Sequence, residues 1–203
     1  MLNVGVVTRS FAGTSACECA EFMAERGFFS TELCFTFSDG NFWSYNGRAD
    51  LGGLTDEKAR GIICEFRKRG IDIVSIGVFS NLMEPDAAAL DENLAFFERH
   101  IQIAADNAIK YIATENGFVP GRRGINTDTY QKDFDYFKGN MARLLEIAGR
   151  YGVKIAFEPC VLDLTPSAKR TADFICQLGS GHLEVLLDPA NLIANSDEED
   201  MFK

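Results

Sequence analysis

The sequence predicts an α/β protein built on a parallel sheet, from three observations. A helical pattern closed by Gly or Asn and followed at once by a short apolar run recurs along the chain. The connections leaving these runs are longer than those entering them. Two runs, Val-Lys-Ile-Ala-Phe-Glu158 and Leu-Glu-Val-Leu-Leu-Asp188, end in a carboxylate and are stopped by Pro159 and Pro189.

Strands start near residues 2, 29, 72, 110, 153 and 183. Six strands alternating with helices make a parallel sheet. The almost unbroken apolar run 71–79 fits a strand covered on both faces. Helix ends precede the later strands at Ala-Glu-Arg-Gly27, Arg-Lys-Arg-Gly70, Asp-Asn107-Ala, Gly-Arg-Tyr-Gly152 and Leu-Gly179-Ser-Gly181. Glycine or asparagine there suits a left-handed C-cap, and basic residues in the last turn suit the helix dipole.

The helix over 55–69 opens at Thr55 and carries Ile62, Ile63 and Phe66 on one stripe. That over 86–106 repeats Leu90, Leu94, Phe97, Ile101 and Ala105, and that over 130–151 repeats Phe134, Phe137, Leu144, Leu145 and Ala148. Thr165-Pro166 starts a helix running to about Leu178, with proline in its first turn. Residues 195–203 read as the start of a sixth helix. The long connections 38–54, 80–85, 115–129 and 159–165 all follow strands. A βα barrel and a doubly wound sheet both carry their sites in such loops, so the asymmetry fits either.

A chain of 203 residues suits one domain, taken as 1–203, with a sizeable core. At 46% hydrophobic and 25% charged it has the composition of a soluble globular protein. No apolar stretch is long enough to span a bilayer, and the N-terminus goes straight into a strand-like run without a signal peptide's basic region. The expectation is a cytoplasmic protein without a membrane partner. A net charge of −10 argues against nucleic acid, which needs clustered Lys and Arg. The six cysteines, Cys17, Cys19, Cys34, Cys64, Cys160 and Cys176, form no Cys-x-x-Cys pair, so they read as reduced, mostly buried small apolar residues. Cys160 lies just beyond Glu158.

Parallel strands bring their C-terminal ends to one face, and two acids aimed into that face can hold a cation or move a proton. The surrounding residues resemble the sugar phosphate isomerase/epimerase family, which has a xylose isomerase-like TIM barrel. The resemblance rests on Thr31-Glu32-Leu33, Ser80-Asn81-Leu82-Met83-Glu84-Pro85-Asp86, Ala113-Thr114-Glu115-Asn116-Gly117, Ala156-Phe157-Glu158-Pro159 and Leu187-Asp188-Pro189-Ala190-Asn191. These stand in order at strand ends over essentially the whole chain.

The resemblance implies a (β/α)8 barrel of which about six units are present. It also implies a divalent metal held by a Glu on strand five and an Asp on strand six, at Glu158 and Asp188. A His and a Glu on strands seven and eight have no counterpart, and about 60–80 residues of a typical barrel are not accounted for. A truncated chain or completion by a partner would explain this, and the chain alone would be catalytically incomplete. The implied metal is Mn²⁺ or Mg²⁺, with Co²⁺ or Zn²⁺ admitted by a histidine ligand. The implied reaction is isomerisation or epimerisation of a sugar or sugar phosphate: a proton leaves the carbon beside a carbonyl through an enediolate, with Glu158 as ligand and acid/base. A homo-oligomer is compatible.

Each candidate has a plainer alternative. Glu158 could cap the next loop, and Asp188 could cap a short helix at Pro189. Asn191 could touch metal or substrate, or serve a turn. Asn81 and Glu115 could bind substrate or structure their loops, and Glu32 could line the pocket or pair with a lysine. Arg122 and Arg123, between glycines, could grip a phosphate or carboxylate or stay solvated. Phe42 and Trp43 could wall a sugar or pack a lid. His100 lies on a helix and His182 at a strand entrance, so neither reads as a metal ligand. The alternative functions are a catalytically incomplete fragment or non-catalytic ligand-binding relative and, lower, an endonuclease IV-like nuclease. The latter needs several zinc-binding histidines and a basic face.

Overall fold

The structure, a computed structural model, describes residues 4–11 and 13–192. In chain order, β1 (Val6–Val7) leads into a 3-10 turn and α1 (Ala16–Glu25); β2 (Ser30–Leu33) leads into a hairpin of β3 (Thr36–Phe37) and β4 (Gly40–Asn41), then α2 (Asp56–Arg67). β5 (Asp72–Gly77), α3 (Ala87–Asp106), β6 (Tyr111–Thr114), α4 (Tyr130–Arg150), β7 (Lys154–Phe157) and α5 (Ala168–Leu178) follow, then β8 (Leu183–Val185) and the short α6 (Pro189–Leu192). The sixth helix expected over 195–203 lies outside the described residues.

The main sheet has the order β1-β2-β5-β6-β7-β8, every pair parallel. Spatial order follows chain order without the reversal of a doubly wound sheet, which leaves the barrel. Among the described residues the barrel is open, with β1 and β8 at its edges.

Local chemistry sets the boundaries. Ser15 and Glu18 form a reciprocal capping box on α1. Thr55 caps α2 and Asp86 caps α3. Gly27, Gly70, Gly152 and Gly179 have φ of 74°, 75°, 67° and 58°, as the helix-end pattern requires. Asn107 corrects that pattern: its φ is −112°, its Nδ2 donates to the Ile103 carbonyl, and Ala108 takes the left-handed turn at φ 53°. A second correction concerns α5. Ser167 accepts from the Arg170 amide and is the cap, so Pro166 precedes the helix.

The core lies between the sheet and the helices. Phe137 stacks on Phe174 at 5.0 Å, and Phe157 of β7 closes on Phe174 at 5.5 Å. His100 is buried in α3 beside Phe96 and Phe35, with Nδ1 2.8 Å from the Phe96 carbonyl. Of the cysteines, Cys19 and Cys34 are buried, whereas Cys17, Cys64 and Cys176 are exposed, which corrects the expectation of mostly buried thiols. No described helix is long and apolar enough to cross a membrane.

Candidate metal and proton-transfer site

Glu158 stands one residue beyond β7, and its N–H still donates to the Thr114 carbonyl at 2.8 Å. Alternation along a strand places its side chain opposite Phe157, away from the aromatic core and toward the mouth at the strands' C-terminal ends. It is only 9% exposed. Asp188 does not end its strand. β8 stops at Val185, and the ladder closes with Leu186 N–H donating to the Phe157 carbonyl. Asp188 instead opens α6, where its Oδ1 accepts from the Ala190 N–H at 2.9 Å. The helix-capping role is thus realised, and it leaves the other oxygen available.

Asn191 joins the two acids. Its Nδ2 donates to Glu158 Oε1 at 2.6 Å, its N–H donates to the Asp188 carbonyl, and its own carbonyl accepts from the Val161 N–H. One short turn therefore fixes the Glu158 rotamer and the position of Asp188. Among the described residues no protein group bonds Glu158 Oε2 or Asp188 Oδ2.

The electrostatics are those of crowded acids. Burial, then the charges of Glu115, Glu32 and Asp188, push Glu158 up to about 7 against the pull of Arg9. Burial also raises Glu32, whose carboxylate accepts weakly from Ser75 Oγ at 3.3 Å. Gly77 makes its room: a Cβ there would lie 2.7 Å from Glu32 Oε1 and from Cys34 Sγ. Asp163, 6% exposed, is pushed to about 7 by burial and then by Glu115, and its Oδ2 has no partner among the described residues.

Two carboxylates, each with an unbonded oxygen, and the charge of Asp188 raising Glu158, suit a hard divalent cation, which would relieve that repulsion. They supply two ligands; no group of three or more His, Cys, Asp or Glu side chains converges among the described residues.

The other candidates separate. Glu115 accepts from Tyr45 Oη at 2.8 Å and lies at the mouth. Trp43 faces Phe79 at 5.9 Å and Tyr45 at 6.4 Å, part of an aromatic wall there. Phe42 is buried beneath its loop, which favours packing. Asn81 takes the loop-structuring alternative. It is 2% exposed, accepts from the Met83 N–H and donates to the Phe118 carbonyl, so it ties the loop after β5 to the loop after β6.

Arg122 is ion-paired rather than simply solvated. Its guanidinium donates to Asp133 at 2.8 Å and to Thr129 at 3.3 Å, which commits it to α4. Its neighbour Arg123 reaches the mouth, donating to Tyr45 Oη at 3.1 Å. His182 has Nδ1 3.0 Å from the Val153 carbonyl at the opposite end of the sheet. Cys160 is half-buried, its thiol raised chiefly by burial.

Three residues escaped the sequence reading. Arg9 follows the first strand, as the motif acids follow theirs. Asp163 is a lone acid between leucines, and Tyr45 sits in Phe-Trp-Ser-Tyr.

Residues 20–203 match the family model described as xylose isomerase-like TIM barrel, and the chain belongs to that family. No curated protein matches it. Among solved structures, 3-keto-D-glucoside 4-epimerase, YcjR, from E. coli superposes with a TM-score of 0.75 at 14% identity, over 98% of this chain and 73% of that one. D-psicose 3-epimerase from Clostridium cellulolyticum H10 superposes with a TM-score of 0.73 at 16% identity, over 98% and 68%. A xylose isomerase-like protein from Mycobacterium smegmatis in complex with magnesium gives 0.64 at 15% identity, over 94% and 66%. At these identities the likeness is one of fold.

Proposed function

We propose that the chain contributes the metal and proton-transfer half of a sugar isomerase or epimerase site. The observation carrying this reading is the Glu158–Asn191–Asp188 arrangement at the mouth of a barrel shared with sugar epimerases. Glu158 and Asp188 would hold Mn²⁺ or Mg²⁺. That ion would polarise a ketone and its neighbouring hydroxyl, making the adjacent C–H acidic enough to lose its proton.

Glu158 takes that proton. A carboxylate held at the mouth can take the proton and return it. Asn191 holds Oε1 and so fixes the rotamer that presents Glu158 to the mouth. Arg9 offsets negative charge as the enediolate forms. The rings of Trp43, Tyr45 and Phe79 exclude water from one side of the mouth.

The nuclease reading loses ground on position. His100 is buried in a helix and His182 lies at the far end of the sheet. The proposal is tested by incubating the protein with Mn²⁺ and a 2-ketose in D₂O. Deuterium is expected to enter at the carbon beside the carbonyl, and Glu158→Gln is expected to stop it. Exchange at the wild-type rate in Glu158→Gln would remove Glu158 from the reaction.

A further inference from the structure

We infer that the loops after β6 and β7 clasp a single dehydrated monovalent cation, K⁺ or Na⁺, at a site that uses neither Glu158 nor Asp188. Two facing segments make it. On the loop after β6, Asn116 is fully buried, and neither its Oδ1 nor its Nδ2 has a partner among the described residues. On the loop after β7, Asp163 Oδ2 and Thr165 Oγ1 are likewise buried and without partners there. The segments meet: the Asn116 backbone N–H faces the Asp163 carboxyl, and Gly117 and Phe118 share with Leu162, Asp163 and Leu164 the walls of one cavity of about 20 Å³. That is room for one body the size of a water or a potassium ion.

Chemistry selects a cation over a water. A carboxylate, an amide and a hydroxyl each offer an oxygen, the hard donors that replace the hydration shell of an alkali ion. A half-turn of the Asn116 amide exchanges its two ends, so it can present oxygen to the ion. A buried carboxylate needs a counter-charge, and the local arginines are engaged elsewhere. Arg122, on the same cavity, is paired with Asp133, and Arg123 donates to Tyr45 and lies over Phe118. One unmatched carboxylate calls for one positive charge, and a divalent ion would ask for more acid than this site holds.

The ion acts as a clamp and takes no part in proton transfer. The loop after β7 also carries Val161, whose N–H donates to the Asn191 carbonyl, and Asn191 in turn holds Glu158. Tying this loop to the loop after β6 therefore steadies the turn that orients Glu158. The inference stands apart from the isomerase reading, because it needs neither a sugar nor Mg²⁺.

Melting temperature is measured near pH 8 in EDTA, at one ionic strength made up with KCl, NaCl or choline chloride. Choline is too large for the cavity. The expected result is a saturable rise in K⁺ or Na⁺ over choline, of about 4 °C at roughly ten times the half-saturating concentration. The rise is expected to persist in Glu158→Gln and Asp188→Asn and to vanish in Asp163→Asn. Thr165→Val, which removes one oxygen and keeps the shape, should raise the half-saturating concentration several-fold. Crystals soaked in Rb⁺ should show an anomalous peak between Asn116 and Asp163, which reads the site without any variant. Equal melting temperatures in all three salts, a rise retained in Asp163→Asn or lost in Glu158→Gln, or no Rb⁺ peak would overturn the inference. None of these results bears on deuterium exchange, which tests the isomerase reading separately.

Discussion

The helix-facing core and the mouth of the barrel both bury titratable groups, on opposite terms. In the core, His100 sits among Phe35 and Phe96 with Nδ1 satisfied by a carbonyl, and burial drives it down to about 4, a neutral ring. At the mouth, Glu158 and Asp163 are crowded with other acids and pushed up to about 7. Polar atoms there also lack partners among the described residues: Asp163 Oδ2, Ser80 Oγ and both side-chain amide atoms of Asn116. Buried groups without partners cost stability. The core is arranged for packing, whereas the mouth keeps unsatisfied groups where a ligand can meet them.

The largest expected effect falls on the mouth. Glu158→Gln should lower turnover by about 10³-fold while the melting temperature at neutral pH holds or rises, because one crowded acid is gone. A melting temperature lower by many degrees would mean that Glu158 is structural and would erase the contrast with the core.

The next effect falls on the core. His100 has its folded pKa below the ordinary value, so the unfolded chain takes up the proton first. Its contribution to stability is full above about 6.5 and is lost as pH falls toward about 4, by roughly 3 kcal/mol. Urea titrations of wild type and His100→Leu across that window measure it, and the variant should lack the step. The mouth runs the other way. Glu158 and Asp163 stand above their unfolded values, so their contribution is present at low pH and is lost as pH rises through about 7.

A glycine pair sharpens the picture of how the mouth is framed. Gly117 has φ 73°, and a Cβ there would lie 2.4 Å from Asn81 Oδ1 and 3.0 Å from the Asn81 Cα. Gly121 has φ 77° with nothing within 4 Å. Gly121→Ala should cost about 1 kcal/mol from backbone strain alone, and Gly117→Ala about twice that or more, read by chemical denaturation. Equal costs would show that the Asn81 tie between loops yields easily.

The smallest effect separates adjacent arginines. Arg122→Ala should lose about 1 kcal/mol of stability with its bonds to Asp133 and Thr129 and leave sugar affinity alone. Arg123→Ala should leave stability nearly unchanged and weaken the sugar by a few-fold, as the Tyr45 contact loosens.

Much of the frame was legible because periodicity and caps are local. The recurring Gly joints, the apolar stripes and the carboxylates before proline each depend on neighbouring residues. What escaped depends on distant ones. Arg122 and Arg123 are indistinguishable in sequence, and only the approach of Asp133 on α4 and of Tyr45 after β2 assigns them opposite roles. Asn81 looks like a loop polar residue until both ends of its amide are seen engaged. Asp188 reads as a strand end in the sequence because Leu-Leu continues the apolar run. The ladder closes at Leu186, and proline then begins a turn. Ser167 outcompetes Thr165 as a cap, a choice between two good caps that sequence alone leaves open.

The central claim is that Glu158 and Asp188 crowd together in order to hold a cation. Melting temperature measured with and without Mg²⁺, near pH 6 and near pH 8, in wild type, Glu158→Gln and Asp188→Asn, tests it most directly. Protons compete with the metal for Glu158, which burial and the neighbouring acids raise. The account predicts a Mg²⁺-induced rise in wild type that is larger near pH 8 than near pH 6 and is lost in both variants. A wild type indifferent to Mg²⁺ and Mn²⁺ at pH 8, or variants stabilised as much as wild type, would contradict it.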